Sequence, residues 1–148
     1  MKYFQIIQEN QAWIDETWQK LVYKLSRTAI KSRNKIPYTT ENGTHDDYPS
    51  EKNDIQWWTN GFWGGLMWLL YSETKDECYK ITAEISEKRL DGAFNEIWKM
   101  NHDTGFIWHI LSGANYRLTG NRDSKNRNLL AAMILASRYN ATGGFIRC

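Results

Sequence analysis

His102-Asp103-Thr104-Gly105-Phe106 sets an imidazole and a carboxylate side by side, ahead of a glycine and an apolar run. This composition suits a general acid or base at the mouth of a cavity, with the glycine allowing a close approach of the backbone. The same spacing suits a plainer role, in which Asp103 caps a helix by accepting a hydrogen bond from an early backbone N–H. The two roles are compatible. A second cluster runs Trp57-Trp58-Thr59-Asn60-Gly61-Phe62-Trp63. A flat indole beside amide and hydroxyl groups suits a sugar, the ring packing on its C–H face while the polar groups take its hydroxyls. Trp58 at the turn, with Asn60, is the better ligand candidate. Trp63 and Trp68, at helical steps among apolar neighbours, read first as core.

Other residues invite blander readings. His109 follows Trp108 on a helix and fits a core histidine better than a second rim group. His45-Asp46-Asp47 resembles a metal cluster only superficially, because three adjacent residues cannot all turn toward one ion, and a solvated loop is the simpler expectation. Glu73, Glu84, Glu87 and Lys88 are expected on outer helix faces. The sequence has no Gly-rich phosphate loop, no GxSxG elbow and no Cys–His pairing.

The elements that must position these clusters are helical. Apolar residues recur at three- and four-residue steps over 10–32, where Trp13, Ile14, Trp18, Leu21, Leu25 and Ala29 share one face. The pattern stops at 33, and Pro37, Asn42-Gly43, His45-Asp46-Asp47 and Pro49 mark a polar loop over about 33–56; loops of this length in a domain are functional or disordered. A buried helix is expected over 57–71 and a third over 76–90 with Ile81 and Ile85 inward. A fourth follows the 102–105 turn and runs to 116. A fifth starts at Asp123 as N-cap and runs to 139, burying Leu129, Leu130, Met133 and Ala136. The end, 143–147, reads as extended. No alternating stretch is long enough for a sheet, so the class is all-α.

Phe62, Trp63, Leu66, Tyr71 and Thr74 are echoed 45 residues later by Ile107, Trp108, Leu111, Tyr116 and Thr119. A repeat of this length made of helical hairpins points to an α-solenoid or a closed α/α toroid. The two entrances, at Thr59-Asn60-Gly61-Phe62 and Asp103-Thr104-Gly105-Phe106, then present polar groups at one rim.

Bulk properties exclude several functions. With 148 residues a single domain is expected. A net charge of +2 is too slight for a nucleic-acid footprint. No apolar stretch approaches the length of a bilayer crossing, and the N-terminus lacks the apolar core of a secretion signal. Two cysteines without CxxC spacing argue against a disulfide framework or a zinc site and fit a reducing cytosol, so a cytoplasmic location is expected. Eight tryptophans and eight tyrosines against five phenylalanines suggest that some polar-tipped rings line a wet cavity.

At its two clusters the sequence resembles glycoside hydrolase family 88, the unsaturated glucuronyl hydrolases. The resemblance rests on Trp57-Trp58-Thr59-Asn60-Gly61-Phe62-Trp63-Gly64-Gly65-Leu66-Met67-Trp68, on His102-Asp103-Thr104-Gly105-Phe106, and on Tyr116-Arg117-Leu118-Thr119-Gly120. It implies a six-hairpin α/α toroid that removes a 4,5-unsaturated uronic acid from the non-reducing end of lyase-generated oligosaccharides. An acid protonates C4 of the enol ether, water adds at C5, and the hydrated sugar opens and sheds its partner. The resemblance further implies no metal or organic cofactor, Asp103 as one of two active-site aspartates, His102 beside it, and Trp58, Asn60 and Trp63 around the substrate. In that family a second aspartate comes beyond the segment matching Phe145-Ile146-Arg147, whereas this sequence stops at Cys148. At about 45 residues per hairpin, a six-hairpin ring needs roughly 270, so about the first half of a ring is expected here. Such a half-ring would be inactive alone and would expose the apolar flank of its last helix as a surface for self-association. The alternative is a non-catalytic carbohydrate-binding or remnant helical-repeat domain.

Overall fold

The helical periodicities become two leading helices and two packed hairpins in the computed structural model, which describes residues 2–147. Helices α1 (Lys2–Glu9) and α2 (Gln11–Lys31) come first. The apolar face of α2 is covered only near its C-terminal end. Ala29 is buried and Leu25 packs on the core, while Trp13, Ile14, Trp18 and Leu21 are exposed.

The polar loop is more ordered than its composition suggests. It holds strands β1 (Thr40–Glu41) and β2 (Thr44–His45), antiparallel with Thr40 opposite His45, and a short helix α3 (Tyr48–Lys52). The turn of the hairpin is Asn42-Gly43, both at positive φ (50° and 74°), the backbone that a two-residue primed turn demands. The expectation of a solvated His45-Asp46-Asp47 loop is therefore corrected. Asp46 Oδ1 accepts from the N–H groups of Tyr38 and Thr39 at 2.8 and 2.9 Å. Asp47 takes Ile36 N–H and a two-pronged contact from Arg89, and His45 Nδ1 meets Ser32 Oγ at 2.9 Å.

The first hairpin pairs α4 (Asn60–Thr74) with α5 (Glu77–Leu90). A 3₁₀ segment (Asp91–Lys99) leads to the second, α6 (Thr104–Trp108) and α7 (Ser112–Thr119) against α8 (Arg122–Ser137). The expected single fourth helix is thus broken near Leu111. Strands β3 (Tyr139–Asn140) and β4 (Phe145–Ile146) pair at the end, where an extended segment was expected.

The 45-residue echo has a structural counterpart. Thr74 Oγ1 donates to Leu70 O at 2.8 Å and accepts from Asp76 N–H at 3.2 Å; Thr119 Oγ1 donates to Asn115 O at 2.8 Å and accepts from Asn121 N–H at 3.2 Å. Each helix ends on a left-handed residue, Lys75 or Gly120, and the next begins on a side-chain cap, Asp76 or Asn121. The fifth helix is consequently capped by Asn121, not Asp123.

Inside, Met67, Trp68, Tyr79, Leu90, Ile107, Trp108 and Leu111 form the core, and Phe94 stacks on Trp108 with centroids 4.3 Å apart. The buried face of α5 is Tyr79, Thr82, Ala83, Ser86, Glu87 and Leu90; Ile81 is exposed and Ile85 half-buried, because the stripe is rotated from the positions the aliphatic residues suggest. Glu87, expected on an outer face, is only 3% exposed. Its Oε2 accepts from Asn115 Nδ2 at 2.7 Å and Ser124 Oγ at 3.0 Å, joining the first hairpin to α7 and α8 of the second. On α8, Leu129, Leu130, Met133 and Ala136 are exposed, contrary to expectation, and Ser124 and Ala131 are the buried residues. Among the described residues no helix is long and apolar enough to cross a membrane.

Candidate active site

The turn ahead of α6 is organised by Asn101. Its Oδ1 accepts the Asp103 N–H at 2.8 Å, while its carbonyl accepts both Thr104 Oγ1, at 2.7 Å, and Thr104 N–H, at 3.2 Å. With Asn101 folding the turn, the Asp103 carboxylate makes no side-chain capping bond to its helix. The cap expected of Asp103 is therefore corrected. Its carboxylate, 24% exposed, lies 3.4 Å from Nε2 of His102, whose side chain is 48% exposed. These two groups can pass or share a proton with each other and with water. An added Cβ at Gly105 would meet nothing within 4 Å, so the backbone there borders open space.

Trp58 reaches the same rim through the crossing of α4 over α6. A Cβ on Gly61 would stand 2.5 Å from both Cα and O of Ile107, so only glycine permits this approach, and Gly64 receives Leu111 one turn later. The crossing brings the ring of Trp58 to 5.9 Å from Phe106 and 5.4 Å from Phe62, with Phe62 and Phe106 themselves 6.4 Å apart. Trp58 is 37% exposed. An apolar ring face and a carboxylate–imidazole pair thus stand at the N-terminal ends of adjacent helices, linked by Phe106, three residues past Asp103. A groove of about 430 Å³ between α4 and α7, walled by Phe62, Leu66, Leu69, Ile110 and Leu118, begins at this rim through Phe62, which belongs to both. Trp58 and Asp103 stand outside the groove.

The other sequence candidates fall elsewhere. Asn60 is buried, and its Nδ2 donates to the carbonyls of Asp54 and Ile55 at 3.0 and 3.1 Å, pinning the loop that carries Trp58. Trp63 is 7% exposed, with the His45 ring edge-on at 5.4 Å. Both are buried, so neither side chain is presented at the rim. His109, expected in the core, is exposed at the end of α6. Sequence reading missed the parts played by Phe62 and Phe106 and the turn-forming role of Asn101. Asn101 was legible in principle, since Asn two residues before a helix start is a common turn former.

No family model matches the chain. The chain is 34% identical over 91 residues to the unsaturated chondroitin disaccharide hydrolase of Streptococcus pneumoniae, a stretch covering 61% of this chain and 23% of that protein. It is 33% identical over 99 residues to the unsaturated glucuronyl hydrolase of Bacillus sp. strain GL1, covering 64% of this chain and 26% of the other. The crystal structure of unsaturated glucuronyl hydrolase from Streptococcus agalactiae superimposes with a TM-score of 0.61 at 29% identity, covering 84% of this chain and 33% of that one. The chain is a partial homologue of the family 88 hydrolases. Its fold matches part of an α/α toroid. It spans about a quarter of the length of the curated relatives it matches.

Proposed function

We propose that this chain forms the part of an unsaturated uronyl hydrolase that seats the terminal sugar and supplies one of two active-site carboxylates. In this reading Trp58 packs on the unsaturated ring, while Asp103, with His102, serves protonation at C4 of the enol ether. Water then adds at C5, and the resulting hemiketal opens and releases the partner sugar. The substrate class is an oligosaccharide with a 4,5-unsaturated uronic acid at its non-reducing end. The second carboxylate and the remaining hairpins of a six-hairpin ring belong, in this reading, to the portion of the toroid that the chain does not span. Exposed Leu129, Leu130 and Met133 on α8 offer an apolar surface for self-association.

The observation that carries the reading is the release of the Asp103 carboxylate from capping duty, at the end of α6 that holds Phe106 against Trp58. A carboxylate needed only to start a helix would be spent on backbone N–H groups.

The test is titration of the 148-residue chain, followed by tryptophan fluorescence, with unsaturated and saturated uronyl disaccharides. Loss of the alkene's ultraviolet absorbance reports turnover. The expected result is preferential binding of the unsaturated sugar, lost in Trp58→Ala, with little or no turnover by the chain alone. Equal binding of both sugars would favour a general carbohydrate-binding surface, and absence of binding would refute the proposal.

A further inference from the structure

We infer that the segment leading into the β1–β2 hairpin carries, with that hairpin, a second saccharide subsite, centred on Tyr38, for a pyranose ring of the glycan beyond the first two units. The inference rests on the reading of Trp58 as the platform for the terminal ring. It starts from an unbroken line of ring contacts leading away from that platform. Trp58 lies 6.4 Å from Trp57, Trp57 lies 6.1 Å from Tyr38 and 5.8 Å from Tyr48, and Tyr38 lies 5.0 Å from Tyr48. Trp57 and Tyr48 are half-buried and form the backing. The two ends of the line, Trp58 and Tyr38, are the exposed rings, Tyr38 at 55%.

A separate observation shows what surrounds Tyr38. Together with Pro37, Thr39, Thr40 and His45 it lines a shallow depression of about 410 Å³ with mostly polar walls. An exposed phenol ring, two threonine hydroxyls and an imidazole are the pieces a pyranose requires: an apolar face for its C–H side and short polar groups for its hydroxyls. A protein-binding patch would be more apolar at its centre. The scaffold is also fixed in advance. Asp46 holds the N–H groups of Tyr38 and Thr39, Tyr48 N–H donates to Ile36 O at 3.2 Å, and Asp47 ties the segment to α5 through Arg89 at 2.8 Å. Lys35 Nζ donates to the carbonyl of His45, holding the second strand. Little ordering is left to be done when a sugar arrives, which lowers the cost of binding. Two ring steps separate the depression from Trp58, so a disaccharide seated at Trp58 leaves it empty and a longer glycan can reach it.

The experiment is calorimetric titration of the 148-residue chain and its Tyr38→Ala and Tyr38→Phe variants with an unsaturated disaccharide and the corresponding unsaturated tetrasaccharide. Near-ultraviolet circular dichroism of each variant confirms that the aromatic cluster is intact. One stacked ring should make the tetrasaccharide bind about five- to tenfold more tightly than the disaccharide. Tyr38→Ala should abolish that difference without altering disaccharide affinity, and Tyr38→Phe should keep it. Amide resonances of Thr39 and Thr40 should shift with tetrasaccharide and stay still with disaccharide, a readout that requires no variant. Equal affinity for the two glycans, a length preference that survives Tyr38→Ala, or failure of the tetrasaccharide to bind overturns the inference. Tetrasaccharide binding that depends on Tyr38, with no disaccharide binding at all, would support this subsite while refuting the role given to Trp58.

Discussion

Glu87 is the residue whose removal most directly tests how the two hairpins are held together. Its Oε2 accepts from Asn115 Nδ2 at 2.7 Å and from Ser124 Oγ at 3.0 Å, and neither Asn115 nor Ser124 is exposed. Its other oxygen faces the Arg127 guanidinium at 4.0 Å, outside hydrogen-bonding range. In Glu87→Ala two buried donors lose their acceptor, at about 1–3 kcal/mol each, so the loss should be about 2–6 kcal/mol before any cavity is counted. That is a large share of the about 5–15 kcal/mol that holds a typical domain together. Glu87→Gln separates hydrogen bonding from charge. Its amide carbonyl can take the place of Oε2 and accept both bonds, while its NH₂, in the buried place of Oε1 facing Arg127, becomes one donor without an acceptor at about 1–3 kcal/mol. Urea unfolding followed by far-ultraviolet circular dichroism gives the midpoints. The expected order is wild type, then Glu87→Gln, then Glu87→Ala lowest, at an unchanged slope. If Ala proves as stable as wild type, the carboxylate is not what joins the hairpins; if Gln is as damaging as Ala, charge and not hydrogen bonding joins them.

Gly61→Ala should cost about 1–3 kcal/mol, because its Cβ would stand 2.5 Å from the Ile107 backbone and helices cannot part there without loosening the core. Gly105→Ala, where a Cβ meets nothing within 4 Å, should leave the melting temperature unchanged or raise it. Equal effects in the two variants would contradict the crossing geometry. Acid should weaken the 33–56 segment in two steps. Burial holds the His45 imidazole below its ordinary value near 6.5, against the pull of Asp46 and with help from Lys35. The unfolded chain therefore takes up that proton first, so the contribution is complete above about pH 6.5 and fades as pH falls toward the lower folded value. Burial works to raise the Asp47 carboxyl, but hydrogen bonds from Arg89, Ser50 and the Ile36 N–H outweigh it and leave it below its ordinary 3.8. Its contribution is present above about pH 3.8 and is lost as pH drops through the folded value. Urea midpoints measured from pH 8 to pH 3 should show His45→Gln removing the upper step and Asp47→Asn the lower; a midpoint that rises between pH 7 and pH 5 would contradict the sign.

Much of the scaffold was legible because helices announce themselves by period. The spans around α4, α5 and α8 follow from apolar spacing, and the 45-residue echo follows from matched residues whose turns share one hydrogen-bond pattern. Which side of a helix is inward was harder to read. On α5 the inward residues are largely small or polar, and they are buried because they face α2 and the second hairpin: Tyr79 donates to Val22 O at 3.0 Å and Thr82 to Ala29 O at 3.3 Å. An aliphatic rule therefore picks Ile81 and Ile85 wrongly. On α8 the aliphatic residues were expected inside, but Leu129, Leu130 and Met133 have no neighbouring element to cover them. The 33–56 segment was illegible for a different reason. Its order comes from carboxylates accepting backbone N–H groups and from Arg89, 42 residues after Asp47 in sequence, and neither has a periodic signature.

The candidate site was readable as two motifs at one rim, but not as a geometry. His102-Asp103 and Trp57-Trp58 lie over 40 residues apart, and nothing in either motif fixes the angle between them. That angle is set at Gly61, where α4 meets the backbone of α6 at Phe106 and Ile107, and at Gly64, where the Leu111 side chain packs into the space a Cβ would take. Gly61, permissive in a one-dimensional reading, is therefore the most constraining residue of the motif, because the Phe106–Ile107 backbone leaves no room for a Cβ. The same reasoning explains why Asp103 is available at all. Asn101, two residues earlier, supplies the acceptor that the turn requires, so the helix starts without drawing on the carboxylate, which faces His102 instead. The chemistry of the rim thus depends on two choices made away from it: the residue that folds the turn and the residue that lets the helices touch.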